Sequence, residues 1–522
     1  MTRLFTRKLL CIQLLLLSSL LFVAGCKKGF KDYYDEKNTK GGFLYDKIKS
    51  NPEFSTFAKG LERANIVQFI SEGGLYTVFA PTNEAFSKYL SNNGYSSIDD
   101  VPTDKLYTIL SYHIVHNMWY YYDLKVRYAT FSQVQYLTRN KKFVDIDVKT
   151  PDAIKINGVQ VINSLRDIDA DNGVIHGIGE VLVPLPNLEE VFQSDPELKN
   201  STFYKLMQVV KDSAFDRFNS FDKNRDGIFD STFYKTYNAL FGSSTYSPAI
   251  EYRQSTAPTS QGGEPLFTTF LVPSDAALNA YIAPALAKVN NKIDSLNPSY
   301  AAAVLRNYIV SDSMINAASF VNRPIQWRSI NSELIPVTPE NTFIRKDIRA
   351  SNGYIHTINT AFTPSSTNII NSALGKIFIE PDYSMFLAAI RKASLEGAWA
   401  QTTKTGTFFA PNNAAFIAAG FDVVKGTLNG GVLTTNQFNN IVRNHLINEN
   451  LTQANLTVAT VTKNSDVGSS QPLVFATANG VTTVTTTFPV TATVSFPELA
   501  KGPGSPTTGW VYKVDKLLLP KQ

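Results

Sequence analysis

The chain has 522 residues, of which 43% are hydrophobic and 18% are charged, and its formal net charge is +5. This composition supports about three domains with ordinary cores and excludes a wholly disordered protein. The small positive charge excludes the basic face of a nucleic-acid-binding protein. Two cysteines exclude a disulfide scaffold and a cysteine-rich metal site.

The N-terminus has the pattern of an export signal. Basic residues precede an apolar run from Leu9 to Val23, and small residues follow as far as Gly25. The run is shorter than the ~20 residues that span a bilayer. Residues 21–26 resemble a bacterial lipobox, which predicts a signal peptide over residues 1–25, cleaved before a lipidated Cys26. An ordinary signal peptide with an incidental cysteine is the alternative.

Residues 26–41 are polar and mixed in charge, which predicts a flexible tether. Lys31-Asp32 with Asp35-Glu36 resembles the acidic signals that send lipoproteins to the cell surface in the Bacteroidota; a plain tether explains them equally well. No later stretch has the length of a membrane span. We therefore expect an outer-membrane lipoprotein, exposed at the cell surface and held by its lipid.

The rest of the sequence is dominated by a threefold repeat. Each copy opens with a β-branched and aromatic strand that ends at a proline, because proline cannot continue the hydrogen-bond ladder. A polar residue that can cap the next helix follows each proline. The prolines are Pro81, Pro273 and Pro411, and the caps are Thr82, Ser274 and Asn412.

Two further elements recur in the same order in each copy. One is an apolar segment about 30 to 35 residues after the opening strand, and the other is a closing strand that runs toward Pro184, Pro364 or Pro520. The first element covers residues 110–115, 305–310 and 442–447, and the second covers residues 172–178, 352–358 and 508–514.

This ordered set resembles the fasciclin-like (FAS1) domain family. The resemblance implies an α+β fold, in which a twisted β-core carries helices packed on it. It predicts three tandem domains over residues 42–185, 186–364 and 365–522. Apolar spacing predicts helices over 54–69, 198–210 and 383–393, and alternation predicts strands over 143–148 and 481–494. The family pattern also places a strand at the aromatic run of residues 119–122.

Four of the five histidines occupy repeated positions, within apolar runs where an imidazole can bond the backbone. Tyrosine replaces them in the remaining copies, so we interpret these positions as structural. The sequence has no phosphate loop, no zinc-protease motif, no nucleophile elbow and no dinucleotide fingerprint, and we expect no enzyme. The repeated positions are His113, Tyr308 and His445, and then His176, His356 and Tyr512.

The second copy carries extra sequence over about residues 212–263, rich in aromatic residues. A structureless loop of this length is improbable, so the insert is expected to fold onto its domain or onto a partner. Self-packing and partner binding both explain the aromatics. The candidate partner-binding residues are Phe229, Phe233, Tyr234 and Tyr237.

The insert also contains a candidate calcium loop. Oxygen-bearing residues stand at positions 1, 3, 5 and 9 of the loop, a backbone carbonyl falls at position 7, and Gly227 at position 6 permits the sharp bend. The loop resembles those of EF-hands and dockerins, except that Phe233 replaces the acidic residue at position 12. A solvated turn is the alternative. The candidate ligands are Asp222, Asn224, Asp226, Ile228 and Asp230.

The resemblance implies a non-catalytic role in adhesion or interaction, binding a protein or glycan partner. The alternative is an accessory surface lipoprotein of an outer-membrane nutrient importer of the SusC/SusD type, which would use the aromatic insert as its docking face. Calcium, if bound, would be structural.

Overall fold

The structure is a computed structural model that describes residues 41–71, 73–130, 134–150, 153–215, 220, 231, 233–241, 252–253, 264–265, 267–322, 327–336, 342–365, 368–488, 490–502 and 509–521. The predicted signal peptide, Cys26 and nearly all of the tether lie outside the described residues, as do Phe229 and the five candidate calcium ligands. Helices and strands are mixed in each of the three repeats, which confirms the α+β class.

The first repeat contains six helices and eight strands among its described residues. Its helices are α1 Leu44–Ser50, α2 Ser55–Arg63, α3 Val67–Ile70, α4 Asn83–Asn92, α5 Thr103–Ser111 and α6 Tyr121–Thr130. Its strands are β1 Tyr76–Pro81, β2 Ile114–His116, β3 Val134–Leu137, β4 Phe143–Thr150, β5 Ala153–Ile156, β6 Val159–Gln160, β7 Ile168–Ala170 and β8 Gly173–Ile178.

The second repeat begins with three helices that precede its insert. Its helices are α7 Leu188–Ser194, α8 Pro196–Asn200, α9 Thr202–Val209, α10 Asn238–Phe241, α11 Asp275–Ala287, α12 Pro298–Leu305 and α13 Ala317–Asn322. Its described strands are β9 Asp212–Phe215, β10 Phe233–Thr236, β11 Tyr252–Arg253, β12 Glu264–Pro265, β13 Thr268–Pro273, β14 Ile309–Ser311, β15 Phe343–Ala350 and β16 Gly353–Ile358.

The third repeat has the longest strands. Its helices are α14 Ser384–Lys392, α15 Glu396–Trp399, α16 Asn413–Ala418, α17 Thr435–Arg443 and α18 Gln453–Leu456. Its described strands are β17 Thr407–Pro411, β18 Phe421–Asp422, β19 Thr427–Leu428, β20 Gly431–Val432, β21 Leu446–Ile447, β22 Thr460–Ser465, β23 Gly468–Ala478, β24 Val481–Thr485, β25 Thr491–Lys501 and β26 Trp510–Val514.

A parallel pair of strands lies at the centre of every repeat. The opening strand (β1, β13 or β17) pairs in parallel with the closing strand (β8, β16 or β26) and antiparallel with the short strand β2, β14 or β21. As predicted, each opening strand ends at its proline, and the next residue caps a helix. The Thr82 Oγ1 accepts the Ala85 N–H at 3.2 Å, and the Asn412 Oδ1 accepts the Ala415 N–H at 2.9 Å.

The opening strand separates two apolar layers in the first repeat. Val78 and Ala80 face the helices, while Phe79 packs on the antiparallel sheet β3–β4–β5–β6. The third repeat is built alike, with Phe408 on its helical side and Phe409 against the long strands. Alternation along a single strand therefore supplies both layers.

The described residues form two compact units, one that ends at Pro184 and one that begins at Leu185. The second and third repeats share one hydrophobic cluster, which is why they form a single unit. Polar contacts cross between them: the Ser299 hydroxyl donates to Glu396 at 2.6 Å, and Lys288 pairs with Glu380 at 2.7 Å.

Local breaks divide some predicted elements. The helix predicted over 54–69 is interrupted at Asn65, which takes a left-handed conformation at φ 53°. The helix predicted over 198–210 breaks at Ser201, whose hydroxyl caps α9 by accepting the Tyr204 N–H. The predicted strand 481–494 is two strands, β24 and β25. Polar residues that bond the neighbouring backbone favour such ends over continuation.

The strand expected at residues 119–122 is wrong. Helix α6 begins at Tyr121, and the Asp123 carboxylate accepts the Tyr120 N–H at 3.2 Å ahead of it. Trp119 is held by its backbone N–H, which donates to the Thr77 hydroxyl at 2.9 Å. The Asp167 carboxylate also accepts the Tyr121 N–H, at 2.8 Å, so carboxylates start a helix where the family pattern placed a strand.

The parallel pairing predicts that alanine at Gly173 is strongly destabilising. A Cβ there would lie 2.2 Å from the Tyr76 carbonyl oxygen, so strands β1 and β8 would have to separate. We expect Gly173→Ala to lower the free energy of unfolding by about 3 kcal/mol. Hydrogen exchange of the β1 and β8 amides in the full chain measures the loss. Gly179→Ala, where a Cβ meets nothing within 4 Å, is the control and should change little. Equal protection in both variants would contradict the argument.

Candidate interaction surface

The first set of repeated positions connects a helix end to the end of the domain. The Nδ1 of His113 lies 2.9 Å from the Ile109 carbonyl oxygen, and its Nε2 accepts the Leu182 N–H at 2.9 Å. His445 makes the same two contacts, with Ile441 at 2.8 Å and Leu518 at 2.9 Å. In the second repeat the Tyr308 hydroxyl takes over the second role and accepts the Phe362 N–H at 2.9 Å.

The second set lies on the closing strand. The Nε2 of His176 lies 2.9 Å from the Trp119 carbonyl oxygen, and that of His356 lies 2.8 Å from the Ile315 carbonyl oxygen. In the third repeat the Tyr512 hydroxyl donates to the Leu451 carbonyl oxygen at 3.0 Å. Histidine and tyrosine therefore satisfy equivalent backbone groups in different copies.

These contacts fix the histidines as neutral. An Nε2 that accepts an amide N–H carries no proton, so His113 and His445 hold theirs on Nδ1. Burial lowers the pKa of each to about 4. Burial also lowers the pKa of His176 and His356, whose Nδ1 atoms accept the backbone N–H of Asp167 and Asp347. With both ring nitrogens engaged by the backbone, none of these four side chains is placed as a general base.

The described part of the insert is a two-stranded hairpin with an exposed aromatic pair. Strands β9 and β10 pair antiparallel, with Phe215 opposite Phe233. The two rings meet edge to face with centroids 5.6 Å apart, yet the residues are 45% and 61% exposed. We call Phe215 and Phe233 the Phe pair. Cross-strand aromatic contact keeps the pair ordered while leaving apolar surface to water.

A buried carboxylate fixes this hairpin to its domain. Glu189 on α7 accepts hydrogen bonds from the Tyr204 hydroxyl at 2.7 Å, from the Tyr237 hydroxyl at 2.7 Å and from the Lys235 ammonium at 2.9 Å. Burial and the adjoining carboxylate raise the pKa of Tyr237. Because each group of the cluster is paired, the charge is tolerated inside the protein. We call these four residues the Glu189 cluster.

The cluster corrects one predicted partner-binding residue. Tyr237 is fully buried, because its hydroxyl is needed by Glu189, and it offers no surface to a partner. Phe233 is exposed as the prediction required, and Tyr234 lies on β10 opposite Ala214. Phe215 and Glu189 were not predicted as site residues. Their sequence signals are the aromatic content of the insert and the acid-rich start of α7.

Among the described residues, no three histidine, cysteine, aspartate or glutamate side chains come together as a metal site. No helix in the same part of the chain is both long and apolar enough to cross a membrane.

A sequence model of the fasciclin domain matches residues 52–184, 244–364 and 381–520. Together these segments cover more than half of the chain and correspond to the three repeats. The second match begins at residue 244, after the Phe pair and the Glu189 cluster. Both features therefore belong to sequence that the domain model does not match.

The relatives are matched over about one domain each. The Synechocystis protein sll1483 is 34% identical over 134 residues, which are 26% of this chain and 69% of that protein. Human periostin is 28% identical over 146 residues, which are 28% of this chain and 16% of periostin. A solved FAS1 domain pair from the insect cell adhesion molecule fasciclin I is 18% identical and covers 60% of this chain and 98% of its own, with a TM-score of 0.25.

The buried histidines predict acid instability. The pKa of His113 and of His445 is about 4 in the fold and 6.5 when unfolded, so the unfolded chain binds more protons below pH 6.5. Each histidine's stabilisation is complete above pH 6.5 and is lost as pH falls toward 4, by about 3 kcal/mol. Replacing His113 by tyrosine, the residue found at Tyr308, should remove the pH-dependent loss of stability that His113 contributes. The tyrosine hydroxyl should still accept the Leu182 N–H. Protection of the β8 amides from hydrogen exchange, compared at pH 7 and pH 4.5 in the wild type and in His113→Tyr, measures this loss. The same pH dependence in both proteins would contradict the assignment of acid instability to His113.

Proposed function

Because the chain belongs to the fasciclin domain family, we propose that it is a membrane-anchored extracellular interaction protein that binds a protein or glycan partner without catalysis. The fasciclin domain is generally a non-enzymatic interaction module. A lipid on Cys26 would hold the chain on the outer membrane, with the domains exposed at the cell surface. The observation that carries the proposal is the exposed Phe pair, on a hairpin that the Glu189 cluster fixes to its domain.

The neutral, backbone-bonded histidines support the non-catalytic part of the proposal. Each repeat uses these positions to close its own fold, and tyrosine serves where histidine is absent. A catalytic role would require a ring nitrogen that is free to exchange a proton with a substrate. The four repeated histidines have none.

The Phe pair supports the binding part. Full removal of one exposed phenylalanine side chain from water contributes about 1.5–3 kcal/mol. Because the two residues are 45% and 61% exposed, covering both rings would contribute roughly that much in total. The Glu189 cluster orders the hairpin before binding, which lowers the entropy lost on association. The partner would present an apolar pocket that accepts both rings.

The Phe pair also favours a second candidate function, the accessory lipoprotein of a SusC/SusD-type nutrient importer. In that case the apolar pocket would belong to the transporter. The two functions differ in the partner and its location, since adhesion requires a ligand outside the cell. They share the same docking side chains.

We retain calcium binding by residues 222–230 as a proposal, supported by the spacing of the oxygen ligands alone. The loop connects the two Phe-bearing strands in sequence. Calcium at the millimolar concentrations found outside cells would then order the insert and help present Phe233. Its role would be structural.

Capture of the partner tests the docking role of the Phe pair. The full chain, solubilised from membranes in mild detergent, should retain a stoichiometric partner that Phe215→Ser with Phe233→Ser loses at least about tenfold, because two buried rings are removed. Tyr122→Ser, at an aromatic residue 73% exposed elsewhere, is the matched control and should bind normally. A retained transporter supports the importer role, and binding to matrix or foreign cells supports adhesion.

Equal retention by all three proteins would contradict the assignment of the Phe pair. Repeating the capture with a calcium chelator, and with Asp222→Ala plus Asp226→Ala, separates calcium from docking. Weaker retention in both cases is expected. Unchanged retention, together with no calorimetric heat on adding calcium, would leave the loop as a simple turn.

Anchoring has its own test. Cys26→Ser should leave the precursor unprocessed or release the protein from the membrane, because the acylated thiol is lost. Protease added to intact cells should degrade the wild-type protein. Normal membrane retention of Cys26→Ser would exclude the lipid anchor, and survival until the cells are permeabilised would exclude surface exposure.

A further inference from the structure

One arginine in the first repeat is partly buried beside aromatic rings. The guanidinium carbon of Arg139 lies 3.3 Å from the centroid of the Phe69 ring. Its backbone N–H donates to the Ile114 carbonyl oxygen at 2.8 Å, which holds the residue against strand β2. The Nε atom is buried without a hydrogen-bond partner. The guanidinium is therefore fixed in place with part of its hydrogen-bonding capacity unused.

The charge of Arg139 lacks an acidic partner among the described residues. Its guanidinium hydrogen-bonds the hydroxyl of Tyr107 on α5, and the hydroxyl of Tyr76 on β1 is also nearby. Removal from water lowers the pKa of Arg139. Elsewhere in the same repeat, Arg166 also stacks on an aromatic ring, that of Tyr121 at 4.0 Å, but it pairs with Asp167 at 3.6 Å. An anion bound at Arg139 would offset the free-energy cost of removing the guanidinium charge from water.

His116 lies beside this guanidinium and differs from the other four histidines. Neither of its ring nitrogens bonds a protein group among the described residues, and the residue is exposed. Its ring packs on Tyr76 with centroids 5.5 Å apart. This packing and the charge of Arg139 lower the pKa of His116. Tyr76 and Arg139 are the charged or titratable groups that face it from the neighbouring described elements.

We propose that Arg139 and His116 form a binding site for an oxyanion, the carboxylate of an acidic saccharide. A guanidinium offers paired N–H donors that match a carboxylate, and the imidazole supplies a further donor once protonated. Phenol hydroxyls at Tyr76 and Tyr107 suit the hydroxyls of a sugar. Three of the four residues from Arg139 to Lys142 are basic, which attracts anions to the site.

A saccharide fits better than an acidic peptide because the adjacent strand edge is occupied. The Arg139 N–H bonds Ile114, and Thr138 bridges to Val115 along the outer side of β2. An extended peptide therefore finds no free ladder here to pair with. This site would name one class of ligand for the proposed extracellular binding role. It rests on that role only because the saccharide would be met outside the cell. The Phe pair lies in another repeat, so either assignment can fail alone.

The full chain with 13C-labelled histidines, titrated with sodium glucuronate, tests the site. The His116 signal should move and its pKa should rise on binding, so affinity should fall about tenfold between about pH 5.5 and pH 8. Glucose should leave the signal unmoved, and acetate should bind more weakly than glucuronate. Equal affinity for acetate would exclude saccharide recognition, and tighter binding of an acidic peptide would show that the ligand is a protein.

Variants separate binding from folding. Arg139→Gln should lose at least about tenfold in glucuronate affinity, since the bidentate charge is removed, while Arg166→Gln should bind like wild type. His116→Gln leaves Arg139 in place and should abolish the pH dependence, which tests the site even if Arg139→Gln fails to fold. Unchanged affinity in Arg139→Gln, or a persistent pH dependence in His116→Gln, would overturn the proposal.

Discussion

The parallel pairing of an opening and a closing strand is the constraint on which each repeat depends. In the first repeat these strands are residues 76–81 and 173–178, with most of the domain between them in sequence. Their close approach requires glycine at Gly173, where the Tyr76 carbonyl oxygen leaves no room for a Cβ. Buried histidine or tyrosine side chains then satisfy the backbone groups that the crossing chain leaves unpaired. Pairing strands that are distant in sequence costs chain entropy, and these buried hydrogen bonds help to offset that cost.

The same constraint explains how the second repeat carries its insert. The insert enters after α9 and returns before β13, so the parallel pair is left intact. Glu189, on a helix that precedes the insert, then binds Lys235 on strand β10 and Tyr237, which directly follows that strand. The apolar Phe pair can remain exposed because polar contacts, and not the rings themselves, hold the hairpin in place. The proposed binding surface and its support are thus made of different side chains.

The second and third repeats are joined more closely than tandem domains need to be. They share a hydrophobic cluster, and Arg391 of the third repeat donates across the junction to Asn297 of the second at 3.3 Å while pairing with Glu396 of its own repeat. Such an interface fixes the relative position of the two domains. A partner that contacts both would therefore lose little interdomain freedom on binding.

The sequence by itself determined the number of repeats, the α+β class and the ends of the opening strands, because those depend on local chemistry. Pro81 ends a ladder and Thr82 caps a helix wherever they are placed. The helix breaks at Asn65 and Ser201 were not predicted. The apolar residues keep helical spacing across each break, but a single polar residue ends the helix there. The start of α6 was missed because carboxylates hold it, and one of them, Asp167, accepts the Tyr121 N–H from a segment distant in sequence.

Only the tertiary structure decided which aromatic residues of the insert are exposed and which are buried. Tyr237 and Phe233 are four residues apart and equally apolar in sequence, yet one is buried on Glu189 and the other is exposed. The same holds for the histidines: His113 has both ring nitrogens bonded to the backbone, whereas His116, three residues later, lies open beside Arg139. Burial and charge environment come from segments distant in sequence, so no local pattern encodes them.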